Sequence, residues 1–369
     1  MLRVNCVDIE AEKDYLNHKL PETGKNKAIF ASWYGRYKDF ADSYRRMRRA
    51  MLKLKDWAAT NCPPLLQSLS PGLGWMGSES IPVRELLSVT SNSLEMRDFI
   101  IAYHLHDGQN RRSRRFEDYG LFGTYECYGE FCSVLWLPSR MLQIMKFGSF
   151  NVLIFALCPE SLNYLGIVVA CPEEFSKYTL NHVVEMQQGT CRYRDMGLFG
   201  DFFTSYVDRL VEGHYDVYDN RISLMPNRGP NTSTSIVRGI KTTVSAMFCA
   251  QPATSRRLYR YQVTFELVSV EALGYPSVQL KSRAWLMHYS NGQFTQTRGD
   301  GVVGSHPVLS EKEPYFRYCS LAQEEIDQEM LVGFEGDFTM VPGSLKKPLG
   351  PKFTLPVTHV VVPVPVELM

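Results

Sequence analysis

The chain has 369 residues, room for two or three domains, and is 44% hydrophobic, 21% charged and 12% aromatic. That composition argues against a disordered, fibrous or membrane-embedded class. A net charge of +1 argues against a surface built throughout to coat nucleic acid or anionic lipid.

The start, Met1 to Asp8, has no apolar h-region before its first acidic residue, so no signal peptide is expected. Residues 1–63 read as a helical segment. From Tyr37 the positions Tyr37, Phe40, Tyr44, Met47, Met51 and Leu54 recur every three or four residues, one stripe of an amphipathic helix, which Pro63-Pro64 stops. The same helix carries Arg45, Arg46, Arg48, Arg49, Lys53 and Lys55. These read as its solvated face, since the side opposite an apolar stripe must be polar; a basic partner-binding helix is the alternative.

Residues 64–215 mix helices and strands, the pattern of an α+β domain. Asn92 and Glu95 form a capping box for a helix bearing Phe99, Ile100 and Tyr103, with Gly108 at its left-handed end. Ser133–Leu137 and Phe150–Leu157 read as strands, and a last helix runs from Asp201 to Glu212 before Gly213. Residues 216–238 include Pro226-Asn-Arg-Gly-Pro-Asn-Thr-Ser-Thr-Ser235, rich in turn formers, and read as a linker. Asn231-Thr-Ser within it is a formal glycosylation sequon, read as plain linker.

From residue 239 to 369 the period changes from 3.6 to two. Tyr259, Tyr261, Val263, Phe265 and Leu267 alternate with Arg260, Gln262, Thr264 and Glu266, as a half-buried strand requires. Ser290-Asn291-Gly292 marks a hairpin, and Pro356 places the Phe353–Val357 strand at an edge. The fold class expected is α+β followed by an all-β sandwich or barrel.

Nine cysteines, an odd number without a Cys-x-x-Cys pair, support neither a disulfide framework nor a zinc ribbon. They point to a reducing compartment, cytoplasm or nucleus.

Four ordered blocks resemble the ApaG family: Val278–Met287, Gly299–Leu309, Phe316–Ser320 and Met330–Met340. The resemblance implies a fibronectin-III-like β-sandwich. Leu94–Gly108, Tyr119–Gly123 and Phe202–Val207 resemble the SUKH (SMI1/KNR4-type) domain, with Glu95 and Asp107 replacing its proline and asparagine. SUKH followed by ApaG is the order of one group of F-box proteins, whose post-F-box segment Tyr34–Trp57 is similar to. That implies a non-catalytic substrate receptor of an SCF ubiquitin ligase, with protein partners and no membrane or nucleic acid. Skp1 and cullin would join only through an F-box. The early Leu20-Pro21 runs into Glu22–Lys27, which has nothing apolar to insert, so no Skp1 contact is assigned. Either the F-box was lost or it lies upstream of this chain.

Candidate chemistry is sparse. Gly299-x-Gly301-x-x-Gly304 matches a dinucleotide fingerprint in letters, but no helix pattern follows it, so a tight β-turn is the reading. With Arg298 beside it, the turn is also a candidate anion nest for a phosphate-type ligand. Arg111, Arg112, Arg114 and Arg115 form the densest basic run, a solvated loop or a patch for an acidic partner. His104 and His106, two apart on a helix, make a poor metal pair; His288 and His306 read as structural, and Cys319 as a core residue. No serine-hydrolase elbow, zincin motif or P-loop is present, and no catalytic residue, metal or cofactor is assigned.

Overall fold

A computed structural model of the chain describes residues 24–71, 96–109, 119–127, 130–159, 163–174, 179–187, 192–249, 256–325, 329–362 and 366–367. The Asn92–Glu95 capping box, Leu20-Pro21 and the basic run Arg111, Arg112, Arg114 and Arg115 lie outside these residues.

Helix α1 (Gly24–Asn61) starts before the stripe at Tyr37 and ends ahead of Pro63, which opens α2 (Pro63–Ser68) at its first turn. Met47, Met51, Leu54 and Ala58 are buried along one face of α1. They share a core with Leu65, Phe99, Phe155, Phe199 and Phe203. Within the expected segment 1–63, the described helix α1 is not a separate unit: it packs on α3 (Arg97–Leu105) and α4 (Phe199–Val211).

Its basic face is only partly solvated. Arg46 bridges Asp98 of α3 and, at 2.8 Å, Asp201 of α4, while Lys53 reaches Asp208 at 2.7 Å. A Cβ on Gly200 would collide with both Arg46 and Asp98, so the glycine makes room for the bridge. The Asp98 side chain is 8% exposed, and removing its cation leaves a desolvated carboxylate. Arg46→Met is expected to cost about 2–3 kcal/mol in urea denaturation, less than a fully buried pair because the arginine is partly solvated.

Helix α4 ends as expected at Gly213 (φ 72°), where Gly213 N donates to Leu210 O and His214 N to Arg209 O, a Schellman motif. Gly108 also has positive φ (64°), but α3 stops earlier, at Leu105. The glycine is needed because the Leu137 carbonyl occupies the space a Cβ would fill.

The middle unit carries β1 (Thr124–Cys127), β2 (Glu130–Ser133), β3 (Leu135–Trp136), β4 (Gln143–Phe147), β5 (Phe150–Cys158), β6 (Asn163–Ala170), β7 (His182–Gln187), β8 (Arg192–Leu198), β9 (Tyr215–Tyr218) and β10 (Arg221–Pro226). The C-terminal unit carries β11 (Thr232–Val237), β12 (Ile240–Cys249), β13 (Arg256–Leu267), β14 (Ser277–Tyr289), β15 (Phe294–Asp300), β16 (Val308–Ser310), β17 (Tyr315–Glu325), β18 (Leu331–Pro342) and β19 (Phe353–Val361). Finally β20 (Val366–Glu367) returns to the middle unit.

The middle unit has a sheet of order β20-β8-β7-β6-β5-β3, with β4 also on β5, and a small sheet β2-β1-β10-β9. The C-terminal unit is a sandwich of β11-β12-β13-β17 against β15-β14-β18-β19, with β16 on β14. Its core joins Tyr261, Val263, Phe265, Trp285, Phe334 and Phe338. The fold class, α+β followed by all-β, is the one the periodicity implies.

The expected linker 216–238 is instead mostly strand, covering most of β9 and all of β10 and β11. Its serines and threonines are structural: Ser233 Oγ lies 2.8 Å from Thr358 Oγ1, and Ser235 Oγ donates to Pro356 O at 2.7 Å. These bonds stitch β11 to β19 across the edges of the two sheets. Pro356 sits on β19, an edge strand as its missing N–H demands.

The second face of β13 is covered too. Arg260, Gln262 and Thr264 are each less than a tenth exposed. The Arg260 guanidinium lies 4.1 Å from the Tyr125 ring centroid, and that of Arg317 lies 3.3 Å from Tyr218. Arg317 also stands 3.6 Å from Glu126. The small sheet of the middle unit thus covers the outer face of the β11-β12-β13-β17 sheet.

Candidate functional site

Where the two units meet, a cleft of about 480 Å³ opens. Its floor is apolar: Phe122, Leu165, Phe202 and Leu224 come from the middle unit, Ala246 and Met247 from the sandwich. Two of the motif blocks of the middle unit, Tyr119–Gly123 and Phe202–Val207, meet beside it. Phe122 packs on Phe202 at 5.7 Å and on Tyr206 at 5.6 Å, and the Tyr206 hydroxyl donates to Leu121 O. Burial pushes the Tyr206 and Tyr215 phenols up, so both stay neutral hydrogen-bonding groups.

The rim is cationic. Arg194, Arg209 and Arg228 line it against one carboxylate, Glu185. Arg194 pairs with Glu185 at 2.9 Å, and Arg209 lies over the Tyr215 ring at 5.7 Å. Positive charge therefore exceeds negative around an apolar floor, an arrangement for an apolar group flanked by anions. The three arginines and Glu185 belong to no motif in the sequence, because the cleft is assembled from segments far apart in the chain.

The glycine turn is architecture. Val302 and Ser305 exchange N–H···O bonds of 2.9 and 2.8 Å around Val303 (φ 42°) and Gly304 (φ 74°), a type I′ turn. Gly301 N donates to Lys281 O, so the Gly301, Val302 and Ser305 amides are spent within the chain rather than aimed at an anion. Gly299 leaves room for Arg283, whose Nη1 donates to Gly301 O at 2.7 Å. Arg298 is the preceding residue of β15, paired with Ala284, so it points to the opposite face from the Gly299–Arg283 pair. Arg283 is the residue that the sequence reading overlooked here.

His306 Nδ1 meets Leu280 O at 3.1 Å, a packing role as expected. His106 is buried with Nδ1 at 2.9 Å from Ser70 O, and burial holds its pKa below the usual value. Cys319 is not in the sandwich core. It lies in strand alternation with the buried Tyr318, on the covered outer face, with Sγ 3.7 Å from Gln262 Oε1.

The structure defines a two-unit chain whose β-sandwich is fastened to a mixed α/β body. The ApaG domain family model matches residues 249–342. Protein ApaG of Brucella canis is 35% identical over 103 residues, which span 27% of this chain and 75% of that protein. Through this sandwich, the chain belongs to the ApaG domain family.

F-box only protein 3 of Bos taurus is 22% identical over 321 residues, covering 82% of this chain and 65% of that protein. F-box protein SKIP16 of Arabidopsis thaliana is 28% identical over 147 residues, 37% of this chain and 33% of that protein. The chain thus spans less than two thirds of the length of either F-box relative.

Proposed function

We propose that this chain is a protein-recognition adaptor whose interdomain cleft captures a segment of a partner protein, an apolar side chain flanked by Asp or Glu. The observation that carries the reading is the cleft itself, with its apolar floor shared by both units and its arginine-rich rim. The likeness to F-box only protein 3, which runs over 82% of this chain, supports a place in an SCF-type ubiquitin ligase, the partner being its substrate. Skp1 and cullin would be recruited through an F-box, and the middle unit would be a SUKH-type domain. The cysteine pattern favours the cytoplasm or nucleus as its compartment.

Selection from a random peptide library on the intact chain tests the recognition step. Enriched peptides should carry one large apolar residue beside acidic ones, and Arg194→Glu with Arg228→Glu should weaken them at least tenfold. Enrichment without acidic residues, or binding indifferent to both substitutions, would overturn it. The ligase step has a separate test: the full-length product of the gene should co-purify with Skp1 and cullin. Clean absence of both would leave a stand-alone interaction module.

A further inference from the structure

On the outer face of the β15-β14-β18-β19 sheet, three side chains from three adjacent strands converge. His288 of β14 lies opposite Gly333 of β18, and Glu335 follows two residues on, on the same face. In β19 the register slips: Phe334 pairs with Val360 but Gly336 with Val357, so Thr358 and His359 together oppose Glu335. That β-bulge turns His359 onto the outer face, over β18.

The His288 and His359 rings stand 5.1 Å apart, and one ligand atom from each of His288, Glu335 and His359 falls within 4.8 Å of the others. From these observations we infer that His288, Glu335 and His359 form a binding site for a divalent transition-metal ion of the zinc class.

Three features carry this beyond proximity. First, His288 Nε2 is occluded from solvent yet has no hydrogen-bond partner, with Glu335 Oε1 3.4 Å away. Bonds of about 2.0–2.1 Å to a tetrahedral zinc place neighbouring ligand atoms roughly 3.3–3.4 Å apart, so this pair already spans one edge of the polyhedron. Second, Gly333 is not among the positive-φ glycines, so its backbone does not call for glycine. Space does, because a Cβ there would collide with the His359 ring. Third, the donor set of two imidazoles and one carboxylate is one that zinc accepts, and His359 lies at the solvent side, where water can fill a fourth position. The ion would tie the bulged edge strand β19 to β14 across β18.

Zinc titration of the intact, chelator-treated chain, followed by calorimetry and thermal melting, tests the site. The wild-type chain is expected to bind one equivalent of Zn²⁺ that His359→Ala, Glu335→Ala and His288→Ala each weaken at least tenfold, and to melt higher when loaded. His306→Ala, remote from the cluster, should keep that equivalent. Co²⁺ at the same site should give the visible absorption of a tetrahedral complex. His359 is exposed, so His359→Ala is expected to fold normally. No binding at 100-fold excess Zn²⁺, or an equivalent that survives the His288→Ala, His359→Ala double substitution, would overturn the assignment.

Discussion

Replacing Trp285 by alanine is expected to destabilise the C-terminal sandwich by about 3–5 kcal/mol, a large part of a domain's whole stability. Trp285 is 2% exposed and stands between the two sheets. Its ring meets Tyr261 of the opposite sheet at 5.6 Å and Phe334 and Phe338 of its own at 5.2 and 5.3 Å, all edge-to-face. Truncation would therefore open a void bounded by three aromatic rings that cannot collapse together without moving β18. Trp285→Phe should behave differently. The indole N–H is buried without an acceptor, and phenylalanine has no such group to leave unsatisfied. We expect that substitution to cost less than about 2 kcal/mol despite the lost volume. Guanidinium denaturation of the three proteins, read by near-ultraviolet dichroism, checks the order; equal costs for Ala and Phe would contradict it.

Arg317→Ala is expected to uncouple the two units rather than unfold either. The guanidinium is 12% exposed and bridges the Tyr218 ring and Glu126 of the middle unit from a strand of the sandwich. A desolvated cation–π contact contributes about 2 kcal/mol, and here it acts across the boundary between two separate apolar cores. Burial pushes the Tyr218 phenol up, so the ring stays neutral and cannot replace the lost contact with an ion pair elsewhere. Calorimetry should show the wild-type transition separating into two in the variant. A single transition, lowered but still cooperative, would place the coupling elsewhere.

The alternating pattern of β13 made its inner face legible, and Tyr259, Tyr261, Val263, Phe265 and Leu267 are buried. The same pattern marked Arg260, Gln262 and Thr264 as a solvent face, because hydropathy cannot distinguish water from an aromatic ring beneath a guanidinium. The error at 216–238 has a related cause. Serine and threonine read as linker when their partners, here Pro356 and Thr358, lie more than a hundred residues away. Arg46 was legible as polar but not as paired, since Asp98 and Asp201 belong to other helices. The hairpin at Asn291-Gly292 and the type I′ turn at Gly304 were readable because local chemistry alone sets them. The cleft and the His288 cluster were not, since each exists only after the strands have found their neighbours.

The short strand β20 has a mechanical consequence. The chain passes from the middle unit into the sandwich between β10 and β11, then crosses back so that Val366 and Glu367 pair with Tyr193 and Arg192 of β8. Two chain passages and the contacts of Arg260 and Arg317 thus hold the sandwich to the middle unit. Pro230 of the outgoing segment lines the cleft, and so does Arg194, the neighbour of Tyr193 in β8. Opening the cleft would therefore have to strain the β20–β8 pairing and the outgoing segment as well as the packed faces of the two units.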